Sequence, residues 1–590
     1  MASHNTSHPR SYPTPATTPP NGPSTTTLTV LVSTRAVLTS PDGTLYLSPA
    51  TIICDPTSGT ILSVTPTIIP PTSFPPTTHF INHTPHLLLP GLVDTHVHLN
   101  EPGRTEWEGF WSGTRAAASG GVTTVIDMPL NAIPPTTTVS NFRVKLAAAH
   151  GKCWVDVGFY GGLIPGNVSE LKPLVRAGVR GFKGFLCESG VEEFPCVSSV
   201  DIALALEELK DENTVAMFHA EMIPPISASV GDEVQRSDPP LSPSGPLDEY
   251  STFLDSRPPA FETYAIEELL SLAHLAPELQ LHIVHLSAVE CIPLLREARR
   301  KGVKVSAETC FHYLALAAED VARGDTRLKC CPPIRGEGNR EGLWQELGNS
   351  NDAGGKGVIT TVVSDHSPCT PELKLLPDGV PGSVGRAKRT GCCGGSHGGH
   401  GGRGHAKIVD GVMTPDLTPD EEEKLILEEK ERGDFFASWG GISSVGLGLP
   451  ILWTAAHADH SLSHPTSKLS TSSGATTPPS EEGVKPKLFI LDVVRLCCVN
   501  TAKQVGLQHR KGALLPGMDA DICVFNDEDT FVVENEKVLF RNKVTPYAGM
   551  RLRGVVRETY LRGESVYRYG KGFRDDVGPR GTMLIEQRTV

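Results

Sequence analysis

The chain predicts an α/β protein, a (β/α)8 TIM-type barrel carrying a small composite β-sandwich formed by both chain ends. Three observations predict it. Eight strand-like apolar runs recur through the middle of the 590 residues, most of them separated by helical stretches, which is the rhythm of a parallel sheet. Ligand-type side chains fall at the ends of those runs, where a barrel would gather them at one mouth. Both termini are β-rich, which suits a single unit assembled from the two ends.

The strand-like runs are Leu87–Leu99, Val122–Met128, Trp154–Leu163, Val179–Leu186, Val215–Ala220, Leu279–Leu286, Val303–Cys310 and Val358–Ser364. Helical stretches are expected at Glu106–Ala118, Val168–Ala177, Asp201–Lys210, Ala260–Ala276 and Val289–Arg300. At the N-terminal side, Leu28–Val64 alternates apolar and polar residues around the turn signal Pro41-Asp42-Gly43. Gly512–Val566 repeats that character, with Ala520–Phe525 and Thr559–Leu561 as strand candidates. The expected organisation is therefore a disordered Ser/Thr/Pro-rich tail (1–27), a sandwich (28–85 with 506–575), a barrel (86–505) and a C-terminal tail (576–590). Two stretches, 377–433 and 459–487, break the barrel rhythm and read as surface insertions. The first holds a Gly/His tract around Gly394–His405, read as a solvated loop rather than a metal site, and an acidic helical run, Glu421–Glu431.

Composition excludes several function classes. Asp and Glu outnumber Lys and Arg by 67 to 53, a net charge of −14, which argues against a nucleic-acid surface and for small-molecule chemistry. Apolar stretches are strand-sized, so no membrane span is expected, and the N-terminus lacks the apolar core of a secretory signal. The 14 Cys show no disulfide spacing, so a cytoplasmic protein with reduced thiols is the expectation.

The chemistry lies in Asp94-Thr95-His96-Val97-His98. Two His two apart on a strand project to one face, so both imidazoles can reach one cation. Lys183, His219, His285 and Asp365 stand near the ends of strands four, five, six and eight. Four imidazoles and a carboxylate suit zinc, with iron, cobalt or manganese as other candidates, and exceed what one tetrahedral ion needs. Two divalent metal ions with a bridging anion are the economical reading. Lys183 becomes such an anion by reacting with carbon dioxide to form a carbamate. His282 and His366 read as decoys or orienting partners, and His274 as an ordinary helix residue.

Asp94–Arg104 with Trp107-Glu108-Gly109 resembles the allantoinases of the cyclic amidohydrolase group. So do Asp127-Met128-Pro129-Leu130-Asn131, Cys331-Pro332-Pro333-Ile334-Arg335, Ser364-Asp365-His366-Ser367-Pro368-Cys369 and Lys511–Asp521. The resemblance runs from about Leu28 to about Gly572. It implies hydrolysis of the cyclic amide of allantoin to allantoate in purine breakdown, by hydroxide held between two metals. It assigns His96, His98 and Asp365 to one metal and His219 and His285 to the other. Lys183 becomes the carbamylated bridge, Asp365 the proton carrier, and the assembly a homotetramer. The group's dihydroorotases usually have Arg where Asn100 stands, to match a substrate carboxylate; neutral allantoin fits the amide. Asn100, Asn131 and Cys331 are the candidate substrate contacts, with Arg104 supporting their loop. Cys331 stands where relatives often have Ser, and Phe311 where they have Pro before His312-Tyr313.

Three alternatives follow. Dihydroorotase or hydantoinase activity is the nearest. A non-catalytic scaffold relative is disfavoured because all six ligand positions are present. A Ser hydrolase would rest on Gly394-Gly395-Ser396-His397-Gly398, which lacks the strand and helix such an elbow requires.

Overall fold

The computed structural model describes residues 27–224, 243–349, 357–383, 407–409, 412–414, 432–458 and 486–588. The N-terminal segment before residue 27, the Gly/His tract, the acidic run and residues 459–485 of the second insertion lie outside the described residues.

Eight parallel strands form the barrel: β1 Leu92–Val97, β2 Val122–Asp127, β3 in two pieces (Asp156–Phe159 and Gly161–Gly162), β4 Phe182–Phe185, β5 Val215–His219, β6 Gln280–Ile283, β7 Val305–Cys310 and β8 Ile359–Val363. The break in β3 is bridged on both sides. Tyr160 N donates to Asp127 O at 3.0 Å and Gly161 N to Gly181 O at 2.9 Å. Closure comes from an extension of β8, where His366 pairs with Val97 and His98 N donates to His366 O at 2.8 Å. Ser364 N also donates to Asp94 Oδ1 at 3.2 Å, across the same seam. These strands are buried almost throughout, as expected of a parallel sheet covered on both faces.

One expected strand divides in two. Leu87–Leu99 reads as a single apolar run, yet Leu87–Pro90 pairs antiparallel with Ile522–Phe525 in the other sheet, and only Leu92–Val97 joins the barrel. Gly91 is the crossing point, because a Cβ there would fall 2.2 Å from Thr123 Oγ1. An apolar run has no mark for a change of sheet when both destinations are buried.

The two chain ends build one nine-stranded sheet. Its order is 572–573, 564–568, 551–561, 522–532, 87–90, 29–39, 45–55 and 60–65, with 79–82 against 29–39. Leu31, Ala36, Ile52, Leu88, Ile522, Val524 and Tyr560 form a small core of its own.

Val168–Ala177 is a helix with the expected bounds. The helix expected from Glu106 starts at Phe110, whose N–H is accepted by Glu101 Oε2 at 2.9 Å. Further helices at Val139–Ala149, Glu337–Asn349 and Gly448–Ala456 were not expected. Among the described residues no helix is long and apolar enough to cross a membrane.

The C-terminal segment is not loose. Val157 N donates to Thr582 O at 2.9 Å and Leu584 N to Val157 O at 2.8 Å, so the segment runs along β3. At the start of β3, Lys511 Nζ lies 2.6 Å from Asp156, 2.6 Å from Asp521 and 2.8 Å from Asp519, all buried. Arg562 Nη1 adds a second cation to Asp156 at 2.5 Å. This network joins barrel and sheet at the end away from the strand C-termini. Lys511→Met should cost about 3–5 kcal/mol of folding stability, because it strands buried carboxylates without their ammonium. Urea denaturation measures it, and a change under 1 kcal/mol would mean the network contributes little.

Candidate active site

The C-terminal ends of the barrel strands surround a cavity of about 380 Å³. Its walls include His96, His98, Asn131, Lys183, His219, Arg257, His285, Cys331 and Asp365, along with Phe436–Gly440.

Geometry groups the side chains. Asp365 Oδ1 lies 3.2 Å from His96 Nε2 and 3.5 Å from His98 Nε2. Their donor atoms lie within 4.8 Å of one another, close enough to share one ion. On the other side, His285 Nε2 is 3.1 Å from His219 Nδ1 and 3.5 Å from Lys183 Nζ. The His96 and His285 ring centroids are 5.3 Å apart, so the two groups adjoin.

Carboxylates behind the imidazoles set their orientation. Glu308 Oε1 accepts from His96 Nδ1 at 2.5 Å, while its Oε2 lies 3.1 Å from His282 Nε2. Glu221 Oε2 lies 2.8 Å from His219 Nε2 and 2.6 Å from Arg257 Nη1. A ring nitrogen engaged this way leaves the other nitrogen's lone pair facing inward, the tautomer a metal ligand needs. His96 Nε2 is buried with no hydrogen-bond partner among the described residues.

Electrostatics favour the same state. Burial pushes the His98 imidazolium down to about 4, so the ring is neutral near pH 7. His219 and His285 are lowered for the same reason. Burial raises Asp365, but the neighbouring His96 and His98 outweigh it and hold the carboxyl at about 2. Burial lowers Lys183 to about 8, against the pull of Asp365 and Glu308. Neutral imidazoles beside an ionised carboxylate are what a cation requires.

The backbone is held unusually at this mouth. Four of the six described non-glycine residues with positive φ are Asn100 (60°), Asn131 (66°), His285 (37°) and Asp365 (44°). Such conformations cost on the order of 1–3 kcal/mol each and cluster at functional sites.

Residues 87–237 match the Amidohydrolase family, and residues 479–567 match a second Amidohydrolase family. The allantoinase of Saccharomyces cerevisiae is 44% identical over 546 residues, covering 92% of this chain and 96% of the yeast protein. The chain belongs to the allantoinase family. The Streptomyces avermitilis allantoinase is 38% identical, with 85% of this chain and 88% of that protein covered. Among solved structures, the L-hydantoinase of Arthrobacter aurescens superposes with a TM-score of 0.69 at 23% identity, covering 94% of this chain and 99% of that one. That likeness concerns the fold: a TIM-type barrel with its β-sandwich. Amidohydrolases use divalent metal, and the donor groups described above are candidates to hold it.

Within this allantoinase-family framework, the six candidate ligands from the sequence all reach the one cavity. Asn131 lines it, its side-chain amide 3.3 Å from His98 Nδ1, and Cys331 lines it too. Asn100 is not in the cavity wall; it is buried and its Nδ2 donates to Pro368 O at 3.3 Å. Arg104 braces the loop by donating to Asn131 O at 2.9 Å and pairing with Glu193. His282 orients through Glu308, whereas His366 binds Glu108 Oε2 at 3.2 Å and accepts from Ser444 N at 3.1 Å, away from the ligands.

Sequence reasoning missed Glu308, Glu221, Arg257 and the wall Phe436–Gly440. Glu221 had a signal, standing two after His219 on an extended segment. Glu308 had one also, as the lone carboxylate in the strand Val305–Cys310. The wall had none. It is fastened by two buried lysines: Lys329 Nζ donates to Phe436 O at 2.9 Å and to Ser438 O, and Lys374 Nζ to Trp439 O at 3.0 Å and to Gly441 O.

Glu308→Gln should weaken metal affinity about 10–100-fold by removing the acceptor that fixes His96. Competition with a chelating dye measures this, and unchanged affinity would deny Glu308 that role. Gly433 N donates to Leu375 O at 2.6 Å, so the ends of the first insertion meet. Excising residues 384–431 should therefore keep kcat/KM of the metal-loaded protein within about threefold.

Proposed function

We propose that this protein hydrolyses the ring amide of allantoin to give allantoate. His96, His98 and Asp365 would hold one divalent ion, and His219 and His285 the other, with zinc foremost. Lys183 would bridge them as a carbamate. The observation that carries this reading is the meeting of six donor side chains from five strands in one cavity. The donor set fits a metal: inward lone pairs on oriented imidazoles, an ionised carboxylate, and a buried His96 Nε2 that makes no hydrogen bond among the described residues.

Divalent ions in such a site acidify water and polarise a carbonyl oxygen. The chain's own residues supply the rest. Water adds across the ring C–N bond: a C–O bond forms, the C–N bond breaks, and the departing nitrogen needs a proton. Asp365 would take, on a carboxylate oxygen, the proton that the attacking water gives up and return it to the nitrogen. Its low pKa keeps it ionised beforehand.

Lys183 supports the carbamate reading through burial. Burial disfavours the ammonium, and a pKa of about 8 leaves roughly a tenth of the amine neutral at pH 7. That amine's lone pair adds to carbon dioxide and one proton is lost, leaving a singly charged carboxylate-like group. Assembly as a homotetramer and a cytoplasmic location belong to this proposal. The twelve described cysteines are all free, which suits a reducing compartment.

A substrate panel tests the reading. Metal-loaded enzyme should hydrolyse allantoin in preference to dihydroorotate and hydantoin; faster hydrolysis of dihydroorotate would overturn it. Lys183→Ala should lose bound metal and turnover together. Carbon-13 bicarbonate should give the unsubstituted protein a carbamate carbon resonance that Lys183→Ala lacks, and its absence from the active enzyme would remove the bridge.

A further inference from the structure

Allantoin has two parts, the hydantoin ring that is cleaved and a ureido tail, and the candidate ligands address only the ring. Arg257 is the single arginine among the described residues lining the cavity. Its Nη1 donates to Glu221 Oε2 at 2.6 Å, the only side-chain bond Arg257 makes among the described residues. Its Nε is buried with no partner among them. A guanidinium offers five N–H donors, so most of this one's capacity is unspent in the wall of a binding cavity.

The position is also built. Arg335 Nη1 donates to Arg257 O at 3.2 Å, and Arg335 Nη2 pairs with buried Glu262 Oε1 at 2.7 Å. Glu262 Oε2 in turn accepts from Ser287 N at 3.0 Å and Ala288 N at 3.2 Å, in the loop that carries His285. Arg257 is thus tied to His219 through Glu221 and to the His285 loop through its backbone. Glu221 balances its charge. The pair suits a neutral carbonyl acceptor better than a free carboxylate, which would add a second anion beside Glu221.

We propose that Arg257 is a specificity residue: its unpaired N–H groups donate to the carbonyl oxygen of the ureido tail, selecting cyclic amides that carry such a substituent. This rests on allantoin as the substrate. Glu221 then has two tasks, holding His219 and aiming Arg257.

The test uses the metal-loaded protein and compares Arg257→Gln and Arg257→Lys with the unsubstituted chain. Three quantities are read: kcat/KM for allantoin, the inhibition constant of hydantoin (the ring without a tail), and bound metal. The Gln variant should lose about 100-fold in kcat/KM for allantoin while the hydantoin constant stays within about threefold. Bound metal should be unchanged, and the Lys variant, which keeps the charge opposite Glu221, should fall between. An unaltered kcat/KM for allantoin would overturn the proposal. So would equal weakening of allantoin and hydantoin with loss of metal, since Arg257 would then act only through Glu221 and His219. Absence of allantoin turnover in the unsubstituted protein would instead sink the substrate reading, before any variant is made.

Discussion

Asp365 stands 3.2 Å from His96 Nε2 because β8 closes on β1. The contact joins the first and last strands of the barrel, and only a closed sheet brings them side by side. The seam is short. Among the described residues, regular pairing there is limited to His366 with Val97, helped by Ser364 N on Asp94 and Ser364 Oγ on His96 O. Burial raises the Asp94 carboxyl to about 6, opposed by those bonds, so the seam holds an acid in an unfavourable place for the sake of register. The two strand ends that bear candidate ligands are set by the same few bonds that shut the barrel.

Outside that inner ring stands a layer of carboxylates, and it decides the protonation of the ring. Glu308 and Glu221 are buried, yet their partners hold both in the ionised form. Each engages the outer nitrogen of one candidate ligand and then a second donor, His282 or Arg257. Orientation of the inner imidazoles is thereby passed outward to the barrel wall. An ion arriving at the mouth meets lone pairs already aimed, so little has to rearrange on binding.

Much of this was legible in the sequence, for a physical reason. Barrel strands are buried on both faces, so each leaves an apolar run, and a polar residue closing such a run stands out. His98, His219, His285 and Asp365 are readable that way, with His96 two before His98, whereas Lys183 lies inside its run and stands out only as a group able to become a bridging anion. The helices gave less. Gly448–Ala456 is apolar nearly all round, wedged between barrel and sheet, and so shows no amphipathic period. Val139–Ala149 mixes apolar and polar residues with only a weak stripe. Asn100 shows what reading a position by substitution leaves out: its Nδ2 donates to Pro368 O, outside the cavity wall, while its Oδ1 has no partner among the described residues.

The Phe436–Gly440 part of the cavity wall could not be read because the wall is assembled across the first insertion. Cys331 and Lys329 precede that insertion, and Phe436–Gly440 follow it. Nothing in a Phe-Ala-Ser-Trp-Gly stretch announces a binding surface. What fixes it is a pair of ammonium groups donating to four of the loop's main-chain carbonyls. Burial lowers both lysines, Lys329 to about 8, so these charges stand at a cost that only well-placed carbonyls offset. Trp439 then lies edge-on against Trp107, 4.6 Å between ring centroids, tying the wall to the loop after β1. The cavity is thus closed by backbone held from behind, and Arg257, held by Glu221, lines it as well.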